Sequence, residues 1–541
     1  MSLSVLAAAA LAAHFVSPLV KIRPGEPPPP PRAGKVSLAR NECEGLQVYL
    51  QREGREAEVR LQVPPLEPEG RLKADALPIA PYQVQWIPVK TPSNAQGRPG
   101  LWPDPLLPLE RTATLNATKQ TPAVAYLEIC APEQQPPGRY ASTLTIGTGE
   151  ARRTLRLEVT VEPFTLPATS SLPNTFGISR YSIAQGHGID PESELAHTLL
   201  AEYVRELLRH RVSAHGMGMT PPVVRFEKGA PRIDFSAWDR EVDPFLSGKA
   251  LDSGARFTTL QLIDDLKLDE RQRSLYLSAV REHVKSKGFE GEVFFYAKDE
   301  PRPEDHPLVR AQSRAVRGAK GVRLLLTSPF DPRIDATADI LAPPLNCFFP
   351  RKGPDTCPQV VPAEKARERL AGRAKLFWYQ SCLVHGCNGG PIDDPKVERA
   401  YSGWASYMLD HPATSNRAMG PLAFLTGVDG ELYFNTVAAY GGDPWKDTFA
   451  FGGNGDGTFF YPGTPARLGS GRHAPIGSLR LKHVRDGLED YEYLRLLTKR
   501  GKGGLARRLV KQLTPNGYTI NPDPKEWERI REAMARGLRG P

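Results

Sequence analysis

The sequence predicts a multidomain β plus α/β protein: an N-terminal antiparallel β-sandwich, then a (β/α)8 TIM-like barrel, then a C-terminal helical extension. Three observations carry this. Residues 32 to 162 hold short alternating strands between Pro/Gly turns. Residues 175 to 477 hold eight short apolar runs separated by helical patterns, and from Ser478 apolar residues recur at three and four positions. At 541 residues the chain is too long for one small core, and 48 glycines and 53 prolines fit turns and strand-to-helix loops better than a helical bundle. The only long uncharged apolar stretch is Met1 to Val20, which excludes a multi-pass membrane protein.

Residues 1–20 read as a secretory signal segment. Leu3 to Leu11 is its apolar centre and Ala10-Leu11-Ala12 a small-residue cleavage site, although no Lys or Arg precedes it. The alternative is an ordinary buried or frayed N-terminal segment. Residues 32–162 form the sandwich domain, with alternating strands at Leu46 to Leu50, Val59 to Val63 and Leu155 to Val161, entered through the stiff proline run Pro27 to Pro31. Residues 163–174 hold three prolines and several small polar residues and form the linker.

Residues 175–477 form the barrel. Its strands are predicted at Thr175 to Ile178, Val212 to Met217, Phe257 to Ile263, Glu292 to Tyr296, Val322 to Thr327, Ile340 to Leu345, Lys375 to Tyr379 and Glu431 to Thr436. Continuous apolar character suits parallel strands covered on both faces. Helices are predicted at Glu192 to His210, Glu270 to Lys287, Pro307 to Gly318, Ala363 to Leu370 and Lys396 to Leu409. Residues 478–541 form the extension; Leu481, Val484, Leu488, Tyr491, Leu494 and Leu497 give one helical face, predicted to pack on the outside of the barrel.

The whole net charge of +9 lies in residues 466–541, which carry 17 Lys+Arg against 8 Asp+Glu. These basic residues are not interleaved with aromatics; on segments such as Leu494 to Lys511 they form the polar face of a helix with an apolar stripe, so no nucleic-acid partner is expected. Six cysteines are compatible with export. Cys382 and Cys387, and Cys347 and Cys357, are close enough to bridge locally; the other two are Cys43 and Cys130. Paired CxxC spacing is missing, and Asn454-Gly455-Asp456-Gly457 lacks the downstream glutamate of a calcium loop, so neither metal nor other cofactor is expected.

The strongest chemical signal is Glu292-Val293-Phe294-Phe295-Tyr296-Ala297-Lys298-Asp299-Glu300-Pro301, an apolar strand ending in two adjacent acids. Strand C-termini face the active site of a barrel, and this is the fourth strand. Pro301 keeps Glu300 out of helical geometry, so both side chains can reach one pocket. Two acids that flank a glycosidic bond usually stand about 5 to 9.5 Å apart. An adjacent pair suits a substrate-assisted variant, in which the sugar's 2-acetamido oxygen attacks while one acid protonates the leaving oxygen and the other polarises the amide. The alternative is that the acids cap the following helix.

Tyr296-x-x-Asp299-Glu300-Pro301 resembles the catalytic Asp-Glu motif of the glycoside hydrolase family 123 β-N-acetylgalactosaminidases and of the wider DUF4091 proteins. The likeness extends to Ala39-Arg40-Asn41-Glu42-Cys43-Glu44, to residues 377–387 (FWYQSCLVHGC), to Asn454 to Gly457 with Tyr461-Pro462-Gly463, and to residues 478–491 (SLRLKHVRDGLEDY), the most specific of these. The resemblance implies a β-sandwich followed by a barrel, with Glu300 as acid/base and Asp299 orienting the acetamido group.

Tyr296 beside the acids, Trp378, Tyr379 and Gln380 ending strand seven, His215 at strand two and Asn435 at strand eight are candidates for binding sugar. Each also has a structural reading, as core aromatic or strand-end polar residue. Asp264 and Asp265 end strand three as ligands or caps, His385 sits between Cys382 and Cys387, and Arg485 to Asp490 reads as a structural ion network. The expected function is a secreted, periplasmic or cell-envelope retaining β-N-acetylhexosaminidase that takes an amino-sugar glycan, probed against two alternatives: a noncatalytic glycan-binding protein, and a glycosidase for non-acetamido sugars.

Overall fold

The computed structural model of the protein describes residues 11–52, 58–148, 151–262, 267–370 and 372–540. Its first domain is a two-sheet sandwich. One sheet runs in the order Leu11–Val16, Glu42–Arg52, Ala123–Ala131, Ile79–Val89, Gly100–Pro108; the other runs Lys35–Arg40, Ala151–Thr165, Gly138–Thr148, Glu58–Gln62, Thr112–Asn116, with Glu67–Pro68 also paired to Gly138–Thr148. Leu46, Val48 and Leu50 share a core with Leu61, Leu144 and Leu157, as strand alternation requires. One pairing departs from the antiparallel expectation, since Lys35–Arg40 lies parallel to Ala151–Thr165. Leu11–Val16 pairs with Glu42–Arg52, and Leu11, Phe15 and Val16 are buried. The sandwich therefore begins by Leu11 rather than at residue 32, and a cut after Ala12 would divide a core strand; residues 1–10 lie outside the described ones.

Eight parallel strands follow: β1 (Asn174–Gly177), β2 (Ala214–His215), β3 (Thr259–Leu262), β4 (Glu292–Tyr296), β5 (Arg323–Thr327), β6 (Ile340–Ala342), β7 (Lys375–Tyr379) and β8 (Gly430–Tyr433), in the spatial order β2-β1-β8-β7-β6-β5-β4-β3. Each lies within or overlaps its predicted apolar run. The barrel is nearly closed. Between β2 and β3 no ladder forms among the described residues, and side chains bridge the seam instead: Thr258 N–H donates to Ser213 Oγ at 2.7 Å, and Gly216 N–H donates to Gln261 Oε1 at 2.8 Å. Phe294, Leu325, Ile340, Phe377 and Leu432 fill the interior.

Helices alternate with the strands less regularly than the pattern predicts. Only the 3-10 turn Asp335–Thr337 lies between β5 and β6, and the β2–β3 connection inserts a hairpin, Val223–Glu227 with Ala230–Asp234, before the helix Ser236–Ser247. The helix expected over Lys396 to Leu409 is Pro395–Tyr401 and stops before Gly403, whose φ of +84° breaks it. Linker residues Phe164, Leu166 and Leu172 are buried in the core that also contains Phe176 of β1.

The long helix Leu479–Lys499 corrects the view of an external extension. Its predicted apolar stripe is buried, but so are Arg480, Lys482, Arg485, Asp486, Glu489 and Asp490, because the helix lies between barrel and sandwich. Arg480 pairs with Asp104 of the sandwich at 2.8 Å, Lys482 with Glu128 at 2.7 Å, Glu489 with Arg211 at 3.2 Å and Asp490 with Arg417 at 2.6 Å. The expected ion network exists, then, as the joint of the two domains. A break at Gly501 (φ +75°) separates this helix from Gly503–Leu513, where Arg507, Arg508 and Lys511 do face solvent.

Candidate active site

Along β4 the pleat turns Phe294 and Tyr296 into the barrel and Val293 and Phe295 outward. The chain then bends, and Glu300, held before Pro301, adopts a φ of +41°. This left-handed conformation is costly for a residue with a Cβ, and such strain gathers at functional sites. Here it lets two sequence neighbours face different partners at one mouth. Asp299 Oδ1 accepts from Thr327 Oγ1 at 2.6 Å and from the Tyr296 hydroxyl at 3.1 Å, whereas Glu300 Oε1 accepts from the Tyr379 hydroxyl at 2.5 Å. Thr327 ends β5 and Tyr379 ends β7, so donors from two other strands hold the acids. Both acids are exposed.

The two tyrosines are held as donors. Burial, reinforced by Asp299 beside Tyr296 and by Glu300 beside Tyr379, keeps both phenols far above their ordinary range. His215 stacks on Tyr296 with ring centroids 6.0 Å apart, and its Nδ1 lies 3.1 Å from Thr175 Oγ1. Burial lowers its pKa to about 4, so at neutral pH the ring is an uncharged brace for Tyr296. Lys298 is exposed; its backbone N–H donates to Gln312 Oε1 at 3.1 Å, and among the described residues its ammonium forms no ion pair with either acid.

Other predicted residues stand elsewhere. Trp378 alternates with the inward Tyr379 and therefore points out of the barrel, fully buried and edge-on to Phe348 at 5.8 Å. Gln380 is also fully buried: its Oε1 accepts from the Tyr407 N–H at 3.0 Å, and its Nε2 donates to the Ser381 carbonyl at 3.0 Å. Neither lines the mouth. Asn435, half-buried after β8, uses Oδ1 to accept the N–H groups of Thr436 and Val437, shaping its own turn. Asp264 and Asp265 lie outside the described residues.

The loop after β7 is closed by a disulfide between Cys382 and Cys387; Cys347 is bonded to Cys357 and Cys43 to Cys130, a pair facing each other on adjacent sandwich strands. His385 is buried within the first of these loops against His411. Asp456, from the glycine-rich fragment, is a tie: its Oδ2 accepts from Cys382 N–H at 2.7 Å and its Oδ1 from the Tyr433 hydroxyl at 2.9 Å. Sequence reasoning missed Thr327, although a polar residue closing the apolar run of the fifth strand is the same kind of signal as the acids closing the fourth.

Residues 269–497, which include both acids, match the family model described as glycoside hydrolase 123, catalytic domain. In fold, the chain is similar to a family 123 glycoside hydrolase from Clostridium perfringens, whose structure was analysed for the details of glycolipid glycan hydrolysis: 14% identity, 98% of each chain and a TM-score of 0.69. A termite-gut GH10 xylanase containing a bacterial Ig-like domain, 10% identical over 68% of this chain and 90% of its own, has a TM-score of 0.28, too low to inform the site. No curated protein matches by sequence. The catalytic-domain match sets the noncatalytic reading aside.

Proposed function

We propose that this chain, a family 123-like glycoside hydrolase, is a retaining β-N-acetylhexosaminidase that cleaves N-acetylgalactosamine-type glycans with the substrate's own acetamido group as nucleophile. The observation that carries the reading is the adjacent pair Asp299 and Glu300, exposed at one barrel end and fixed by separate donors. Neighbours on one turn are poorly placed to act from opposite faces of a sugar, as an ordinary pair of carboxylates does. They are well placed to act on two atoms of one face-on acetamido sugar.

In the first step the acetamido oxygen attacks the anomeric carbon, the glycosidic C–O bond breaks, and the proton on Glu300 passes to the departing oxygen. Asp299, steadied by Thr327 and Tyr296, accepts the amide N–H and stabilises the charge that builds on the oxazolinium. Water then attacks the same carbon, Glu300 takes its proton, and the ring opens with overall retention.

Pairing of all six cysteines in disulfides supports a secreted or periplasmic location. The test is hydrolysis of aryl N-acetyl-galactosaminides and glucosaminides beside plain galactosides and glucosides, with a glycolipid glycan in the panel and a thiazoline analogue of the intermediate as inhibitor. Cleavage of acetamido sugars only, with competitive thiazoline inhibition, is expected. Activity on 2-hydroxy sugars with indifference to the thiazoline overturns the mechanism.

A further inference from the structure

Phe451 is the most exposed large hydrophobic residue among the described ones, at 64%. It sits at the tip of a hairpin in which Phe449–Ala450 pairs with Gly453–Asn454, leaving Phe451 and Gly452 as the two-residue loop. Their φ angles are +52° and +92°, the left-handed pair that a type I′ turn requires. Asn or Gly is the favoured residue at the first of these positions, and a phenylalanine there is penalised both by its Cβ and by the water around its ring.

The tip is packed closely against its neighbours. A Cβ on Gly452 would come within 2.7 Å of the Cys387 carbonyl oxygen, so the hairpin rests directly on the disulfide-closed loop after β7. Asp456 ties the same loop to Tyr433 of β8. The Phe451 ring meets Phe434, two residues past Leu432 of β8, edge to face with centroids 5.4 Å apart. Leu432 is the register partner of Tyr379. The aromatic pair therefore stands on the β7–β8 side of the mouth, the side to which Glu300 leans through its bond to Tyr379, while Asp299 leans to β5.

We propose that Phe451, backed by Phe434, is a stacking platform for a sugar ring of the leaving group, so that the enzyme favours glycans in which the cleaved residue is linked to another sugar over small alcohol leaving groups. This rests on Glu300 being the proton donor, because the group that protonates the glycosidic oxygen marks the side on which the leaving group lies. The apolar face of a pyranose and an exposed aromatic ring bury one another, and a preorganised ring loses little freedom in doing so.

The experiment compares kcat/KM for a disaccharide and for the methyl glycoside of the same cleaved sugar. Phe451→Ala should lower the disaccharide value about tenfold and leave the methyl glycoside within about twofold. Phe451→Trp should retain the preference. Phe451→Asn, which suits the turn better, should raise the thermal midpoint yet lose the preference, a split that a merely structural role would not produce. Equal losses on both substrates, or no loss on the disaccharide, overturn the proposal. The cleaved sugar is whichever the wild type accepts, so failure of the acetamido mechanism leaves this comparison intact and the two readings fail separately.

Discussion

The Tyr379 hydroxyl donates to Glu300 Oε1 at 2.5 Å, linking the end of the seventh barrel strand to the turn that ends the fourth. That bond orients the carboxyl proposed to give its proton to the leaving oxygen. Tyr379→Phe should lower kcat by about tenfold on substrates with poor leaving groups, and less on activated aryl glycosides, with KM little changed. A uniform loss across leaving groups would mean that Tyr379 only supports the fold.

The two acids should separate by the same logic. Glu300→Gln removes the proton and should cost roughly two to four orders of magnitude on poor leaving groups but less on activated ones. Asp299→Asn should slow both kinds alike, since amide polarisation precedes departure of any group. Identical leaving-group profiles for the two variants would contradict the assigned roles.

The disulfides should differ in what their loss costs. Cys43 and Cys130 close a loop with a sequence separation of 87, Cys382 and Cys387 one of 5. By chain entropy the first contributes about 4.6 kcal/mol and the second about 2 kcal/mol. Paired Ser variants compared by thermal denaturation should keep that order, and only the Cys382/Cys387 pair should alter the sugar preference attributed to Phe451.

Arg480 and Asp104 form a fully buried ion pair between the 479–499 helix and the sandwich. Asp104 also accepts from the Tyr461 hydroxyl at 2.7 Å. Asp104→Ala strands a buried guanidinium and should destabilise by about 3 to 5 kcal/mol in denaturant titration. A loss under 1 kcal/mol would show that the joint is not held there.

Glu431 on β8 is buried with the Tyr407 hydroxyl at 2.6 Å, and burial raises its pKa from 4.5 to about 7. The folded state thus holds this proton more tightly than the unfolded one. Its stabilising effect is complete below about pH 4.5 and disappears as pH rises through about 7, up to about 3 kcal/mol in all. Glu431→Gln should flatten stability across that window; an unchanged pH profile would refute the assignment.

The positions of the barrel strands and the acids were legible in the sequence because each is a local signal. Continuous apolar runs mark strands covered on both faces, and acids before a proline mark where one such strand ends. What those side chains meet was decided by tertiary structure. Period two says that Trp378 and Tyr379 oppose each other, but only the pairing of β7 with its neighbours puts the tyrosine inside with Glu300 and the tryptophan outside with Phe348. The recurrence from Leu481 to Leu497 identified a helix and one buried face. That its charged face is buried as well depends on Asp104, Glu128, Arg211 and Arg417, residues distant in sequence that pair with Arg480, Lys482, Glu489 and Asp490. Phe451 had no sequence signal at all, since its exposure follows from a turn conformation that its own propensity opposes, at a place where Gly452 lies close against the backbone of Cys387. Propensity and periodicity act between residues near in the chain, whereas hydrogen bonds, ion pairs and close backbone contacts act between residues near in space.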